Sequence, residues 1–188
     1  MAACGLTRDE ALEMLRKGVS NLNLQRHCLA TGAIMRSLAR TRGADEDLWE
    51  TTGLLHDLDY EETESTPEIH GLKTAERLEG LLPPECIDAI KAHNGENNGF
   101  ARKTDFDRLL TAAECVTGLI TATALVYPDR KLAPVEPRAV VKRMTKTGFA
   151  RSVSREGIME CEKAGWSLDD FVALSLEAMK SISEDLGL

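Results

Sequence analysis

The sequence predicts an all-α protein, a helical bundle with a C-terminal helical extension. Three observations predict it. Ala, Leu, Glu, Lys and Met dominate while aromatic residues make up only 4%, and these straight-chain side chains favour helix. Helix-start and helix-stop signals recur from one end to the other. Runs of Val, Ile, Tyr and Phe that would mark strands are scarce, and no βαβ alternation is present.

The elements follow in order. Thr7 and Glu10 form a capping box, in which the hydroxyl and the carboxylate each take a backbone N–H, and open a helix to about Val19. The next helix runs from about Asn23 to Arg42 and stops at Gly43, a favourable residue just past a helix end. Its apolar stripe holds Leu24, Ile34 and Leu38. His27 and Thr31 fall on the same stripe by the i, i+3, i+4 rule, so His27 points inward. A third helix begins near Asp45 and ends at His56 and Asp57. The acidic stretch from Asp59 to Glu64 reads as a loop. Thr66-Pro67 reads as an N-cap with proline at the first helical position, opening a helix to Gly80. Pro83-Pro84 opens another that reaches His93, and Asn94 to Gly99 is a turn-rich loop. Asp105 to Val126 is long and largely apolar, the pattern of a central, buried helix. Tyr127 to Pro137 carries three prolines and links to three last helices, Pro137 to Thr145, Ser154 to Ala164 and Leu168 to Leu186. Ser167 with Asp170 caps the last of them.

The 188 residues fit a single domain, with a core at 20–126 and the extension at 137–188. A net charge of −8 argues against broad nucleic-acid binding, which needs clustered Lys and Arg against phosphates. It leaves room for a small phosphorylated substrate. The N-terminal stretch lacks a basic region followed by an apolar one, and no run reads as long and apolar enough to span a bilayer. Cys4, Cys28, Cys86, Cys115 and Cys161 are scattered and odd in number, with no C-x-x-C pair. Structural, buried cysteines in a reduced cytoplasmic compartment are the simple reading.

The chain holds four histidines: His27, His56, His70 and His93. Taken singly each is ordinary: a hydrogen-bonded core residue, a helix-end charge as for His93, or an exposed surface residue as for His70. Taken together they are not. His56 and Asp57 are adjacent at the end of an apolar helix. Glu114 sits among Ala112, Ala113, Cys115 and Val116. A carboxylate buried in such surroundings is costly unless a cation compensates it, and no Lys or Arg lies within a turn of Glu114 on its own helix. Imidazole plus carboxylate is a ligand set suited to Fe, Mn, Co, Ni or Zn.

His27, the doublet His56-Asp57 in GLLHDLDY and an acidic residue on a later helix together resemble the HD superfamily of metal-dependent phosphohydrolases. His70 and His93 lie between the doublet and the acid, as in the members that bind two metals. The resemblance spans about Leu24 to Ile120. The segment AAECVTGLI, followed by a proline-containing linker and further helices, is similar to uncharacterised bacterial members. The family ends its motif with Asp where this chain offers Glu114, one methylene longer. Asp107 is the nearest upstream Asp on that helix, seven residues earlier.

The resemblance implies an HD-type helical bundle holding one or two divalent transition metals. His27, His56, Asp57 and Glu114 would hold one ion, and Asp57 would bridge to a second held by His70 and His93. It implies hydrolysis of a phosphomonoester, phosphodiester or nucleotide by a metal-activated water, with His56 and Asp57 as catalytic residues. Lys73, one turn after His70 on the expected helix, is a candidate to reach a substrate phosphate. Asp59 and Glu61 either line the site entrance or form an acidic surface loop. Arg138, Lys142, Arg143 and Lys146 read as a solvated basic face. Two other readings stay open: a di-iron oxygenase on the same ligand set, and a metal-stabilised sensor or interaction module, to which HDLDY in place of an HD-G-K run gives some weight. Substrate, metal identity and oligomeric state are not legible.

Overall fold

The structure, a computed structural model, describes residues 5–188; Cys4 lies outside the described residues. Among them the protein is helical throughout, with no strand beyond a single isolated bridge between Glu79 and Leu82. The elements are α1 (Arg8–Gly18), α2 (Leu22–Arg42), α3 (Glu46–Leu55), the one-turn α4 (Tyr60–Thr63), a 3₁₀ turn (Pro67–Ile69), α5 (Leu72–Leu78), α6 (Pro84–His93), the one-turn α7 (Gly95–Asn98), α8 (Asp105–Leu125), α9 (Pro137–Met144), α10 (Arg155–Lys163), α11 (Leu168–Ser181) and α12 (Ser183–Leu186).

The caps act as the sequence suggests. Thr7 and Glu10 exchange side-chain and backbone hydrogen bonds at α1. Gly43 ends α2 in the left-handed conformation, φ 62°. Ser167 caps α11 by accepting from the Asp170 N–H. A second capping box opens α8, where the Asp107 carboxylate accepts from the backbone N–H groups of Lys103 and Thr104. That commitment, at a buried position, removes Asp107 from consideration as an internal ligand.

The longest expected helix of the middle region is broken. Instead of one helix over 66–80, Pro67–Ile69 make a 3₁₀ turn without a side-chain cap from Thr66, His70 is extended, and Gly71 is left-handed at φ 84° before α5 begins. Only glycine accepts that backbone readily. A Cβ on Gly71 would also meet the Ile90 carbonyl at 2.9 Å and the His93 ring at 3.1 Å. The Asn94 and Asn98 carboxamides donate to the His70 carbonyl and so satisfy the backbone of this non-helical stretch. The Asp59 to Glu64 and Asn94 to Gly99 segments, expected as loops, each contain a single helical turn, and the last helix breaks at Ile182.

Two 21-residue helices form the frame. α2 and α8 run antiparallel, with Arg42 on Asp105 at one end and His27 on Thr117 midway. α3 packs against α2 at unusually close range, because Gly32 and Gly53 face each other. A Cβ on Gly53 would lie 2.9 Å from the Gly32 backbone. α8 is surrounded by α2, α6, α9, α10 and α11. By length and composition it is the one described helix that could cross a membrane, yet 67% of its apolar window is buried inside the protein. The apolar core runs continuously from Leu15 and Leu38 through Leu110 and Val116 to Phe171 and Met179. Cys28, Cys86, Cys115 and Cys161 are all buried, as structural cysteines should be.

α10 is clamped onto α8 by Glu160, whose carboxylate meets Arg108 of α8 at 3.0 Å and Lys163 of its own helix. Burial pushes its pKa up, but the Lys163 and Arg108 contacts outweigh burial and leave it below the usual value. A group with a depressed folded pKa contributes stability above its unfolded pKa and loses it as pH falls through the folded value. Glu160→Gln should therefore cost about 1–3 kcal/mol at neutral pH, and the difference from the parent should shrink towards zero below about pH 4. Urea unfolding across this range measures it; a pH-independent difference would show that charge is not the cause.

Candidate metal centre

The doublet is placed by the end of α3. His56 is fully buried at its C-terminus, and Asp57 is the next residue, in the turn that leads to α4. The Gly32–Gly53 contact decides what lies opposite. Because α2 and α3 touch backbone to backbone, His27, five residues before Gly32, comes to His56, three residues after Gly53. Their Nε2 atoms are 3.3 Å apart. From the other side, the extended backbone at His70 and the last turn of α6 at His93 bring two more Nε2 atoms within 3.0 Å of each other.

All four rings converge on Asp57. Its Oδ1 lies 3.4 Å from His56 Nε2, 3.1 Å from His70 Nε2 and 3.4 Å from His93 Nε2. Its Oδ2 lies 3.5 Å from His27 Nε2. The ligand atoms form two groups, His27–His56–Asp57 and Asp57–His70–His93, each with all atoms within 4.8 Å of one another. Asp57 belongs to both.

The far nitrogen of every ring is committed to an acceptor. His56 Nδ1 donates to the Gly53 carbonyl, His93 Nδ1 to the Ile90 carbonyl and His70 Nδ1 to the Asp59 carboxylate. His27 Nδ1 faces Thr117 Oγ1 at 2.8 Å; that hydroxyl spends its own proton on the Glu114 carbonyl and so accepts from the ring. With Nδ1–H donated outward, each neutral ring turns an Nε2 lone pair inward, the tautomer that ligates metal. Nε2 atoms facing each other at such range need a positive charge between them, a proton in the metal-free protein or a metal ion in its place. Ligands bound at about 2.1 Å to one ion lie about 3.0–3.4 Å from one another, the spacing found here. The residues therefore fit a divalent metal.

Electrostatics agree. Burial would raise the Asp57 pKa, but His56, His70, His93 and His27 hold it well below the usual range. Burial pushes His56 down to about 3, against the pull of Asp57, so this ring stays neutral and ready to ligate. His70 moves the other way. Burial opposes its charging, yet hydrogen bonds to Asp57 and Asp59 lift it to about 10 when no metal is bound.

Asp59 is a residue whose role the sequence reading left undecided. It is neither at the entrance nor in a surface loop. It is fully buried, and accepts from His70 Nδ1 at 2.8 Å and from the backbone N–H groups of Gly71 at 2.9 Å and Thr74 at 3.1 Å. It holds the His70 ring in place. Asp59→Asn should weaken metal binding about 10–100-fold, as loss of such an orienting partner does, with little change in helix content. Titration of the metal-free protein with Mn(II) or Zn(II) measures this, and an unaltered affinity would show that His70 orients itself.

Other expectations meet a different geometry. Glu114 lines the same pocket as the histidines but belongs to neither close group. Thr117 takes the outer nitrogen of His27; Glu114, one turn earlier, accepts from the Cys115 thiol, and burial raises its pKa against the opposing pull of the nearby His27 and His93. Lys73 does not line the pocket. The break at Gly71 takes His70 off the helix that would have aligned them, and the Lys73 ammonium lies 3.9 Å from Glu62. Glu61 is exposed and accepts from the Ser20 and Asn21 N–H groups ahead of α2. Arg138 and Lys142 on α9, and Lys146 just beyond its end, are exposed, while Arg143 is half-buried.

The histidines open onto a pocket of 540 Å³. Its walls include Tyr60, Asn94, Arg102 and Glu114 and, from the C-terminal extension, Ser152, Ser154 and Gly157. Gly157 packs so tightly on Cys115 that a Cβ there would lie 2.4 Å from its sulfur. Arg102, unremarked in the sequence, is the cation at this wall, and it is fully engaged by Glu96, Thr111 and the His93 carbonyl. Nothing in its local sequence separates it from a surface arginine.

The HD domain family model matches residues 24–124. No curated protein and no solved structure matches the chain. The family match covers more than half of the chain and contains all four histidines, Asp57 and Glu114, so this protein belongs to the HD domain family.

Proposed function

We propose that this protein is a metal-dependent phosphohydrolase acting on a phosphomonoester, phosphodiester or nucleotide. The carrying observation is the convergence of four Nε2 atoms on Asp57, with every Nδ1 held by an acceptor. The HD domain family consists mostly of metal-dependent hydrolases, which supports the same reading.

In this reading His27, His56 and Asp57 hold one divalent transition metal, Fe, Mn, Co, Ni or Zn, and Asp57, His70 and His93 hold a second. Glu114 lends its carboxylate from the pocket wall. Such ions, when bound, supply hydroxide near neutral pH and offset the charge on a phosphoryl group. The chain does the rest. Asp57 stays anionic and faces both sets of imidazoles. Asp59 and Thr117 fix the rings of His70 and His27. The Ser154 hydroxyl, which accepts from the Gly157 N–H, keeps its own proton to donate to a substrate oxygen, and Ser152 stands beside it.

The test is a screen of p-nitrophenyl phosphate, its bis-ester and nucleotides with Mn, Co, Ni, Fe and Zn, with metal content determined alongside. Turnover is expected with at least one metal, lost in chelator and regained on re-addition. Absence of turnover with every metal, or turnover indifferent to chelator, removes the proposal. Oxygen uptake by the iron-loaded protein would move the reading to an oxygenase.

A further inference from the structure

The metal pocket is not isolated. A smaller cavity of 240 Å³ adjoins it and shares Glu114, Cys115, Ser152 and Ser154 as walls. A third, of 450 Å³, shares Thr117 and Gly118 with the second. His27 lines all three. They lie end to end along α8 between α2 and the C-terminal helices. From Glu114 to Leu125 the helix advances about 16 Å.

The chemistry changes along this path. The end at the histidines is polar and holds the carboxylates. The far end is mostly apolar, walled by Ala30, Ala122, Leu125 and Leu186, with Asn23 and Arg26 among its polar walls. No aromatic side chain lines that end to stack a nucleobase. Leu125 is 49% exposed, and two further large apolar residues, Val126 at 56% and Leu22 at 66%, are exposed at the same end of the antiparallel α2–α8 pair. Apolar surface clustered at the mouth of an apolar groove marks a binding surface rather than scattered exposure.

We infer that the substrate is the phosphate ester of an apolar, chain-like alcohol, with its phosphate at the histidines and its chain along α8 past His27 towards Leu125. The inference rests on the phosphohydrolase reading for the position of the phosphate. The wall of the groove formed by Leu186 lies outside the region matched by the family, so the C-terminal extension sets the chain preference.

The test is calorimetric binding of ethyl and octyl phosphate, below the micellar range, to the Mn(II)-loaded full chain. Each buried methylene is worth about a factor of four, so octyl phosphate should bind at least ~100-fold more tightly with most of its chain in the groove. Ala122→Phe should fill the groove and abolish the difference while leaving ethyl phosphate unaffected. Leu125→Glu, at a half-exposed position that the fold tolerates, should reduce octyl binding alone. Equal affinities for the two esters, or tighter binding of adenosine monophosphate than of octyl phosphate, would overturn the inference. Turnover measured in parallel separates the two readings. Chain-length-dependent binding without hydrolysis supports the groove and removes the hydrolase; hydrolysis without chain-length dependence does the reverse.

Discussion

Asp57→Asn is expected to lower metal affinity by more than about 100-fold and to abolish phosphohydrolysis. The side chain keeps its size, so the expected loss is one of charge. Asp57 is the only residue shared by both ligand groups, and it touches all four imidazoles within 3.5 Å. Its pKa is held below the usual range by those rings, so at neutral pH it supplies a full negative charge. Replacing a carboxylate by an amide halves the charge-donating oxygens and turns an N–H₂ donor towards Nε2 lone pairs or cations. The expected loss exceeds the 10–100-fold typical of an outer partner, and so exceeds that for Asp59→Asn. Elemental analysis of the purified variant, with p-nitrophenyl phosphate turnover and a circular dichroism spectrum, checks all three points. Metal content equal to the parent's would dismantle the assignment of Asp57 as the shared ligand.

The second large effect is structural and lies outside the centre. Gly53→Ala should destabilise the protein by about 3 kcal/mol, the upper part of the range for overpacking a tight core. For a chain of this size that lowers Tm by about 6–12 °C. An added Cβ would sit 2.9 Å from the Gly32 Cα and backbone nitrogen, atoms that cannot rotate away. α2 and α3 must therefore move apart. His27 rides on α2 and His56 on the end of α3, so their separation grows and metal affinity falls with stability. Gly43→Ala is the comparison: Gly43 is left-handed, unlike the helical Gly53, and an added Cβ there meets no neighbouring atom, so it should cost about 1–2 kcal/mol with metal affinity unchanged. Thermal melts and metal titration of both variants decide. A Gly53→Ala protein as stable as the parent would mean that the helices slide without cost.

The outer parts of the site were open to sequence reasoning because they follow local rules. The capping box at Thr7, the stop at Gly43 and the inward face of His27 depend on residues a few positions apart. So does the adjacency of His56 and Asp57. The four histidines are legible because they are few and ordered, a pattern that one chain displays without its fold. Asp59 was visible in HDLDY, but its burial was not. That depends on Gly71 and Thr74, whose N–H groups reach it only because the helix expected over 66–80 breaks at His70.

The sequence by itself determined that this chain is helical, where most helices begin and end, and which imidazoles and carboxylate could form a centre. Periodicity and capping act over three or four residues, and those distances are written in the chain. Only the tertiary structure decided that Thr117 takes the outer nitrogen of His27 while Glu114 lines the pocket beside it, that Lys73 turns to Glu62, and that Ser152 and Ser154 come from far along the chain to wall the pocket. Each of those depends on how closely two helices approach, and that is set by contacts such as Gly32 on Gly53, between residues that no local rule connects.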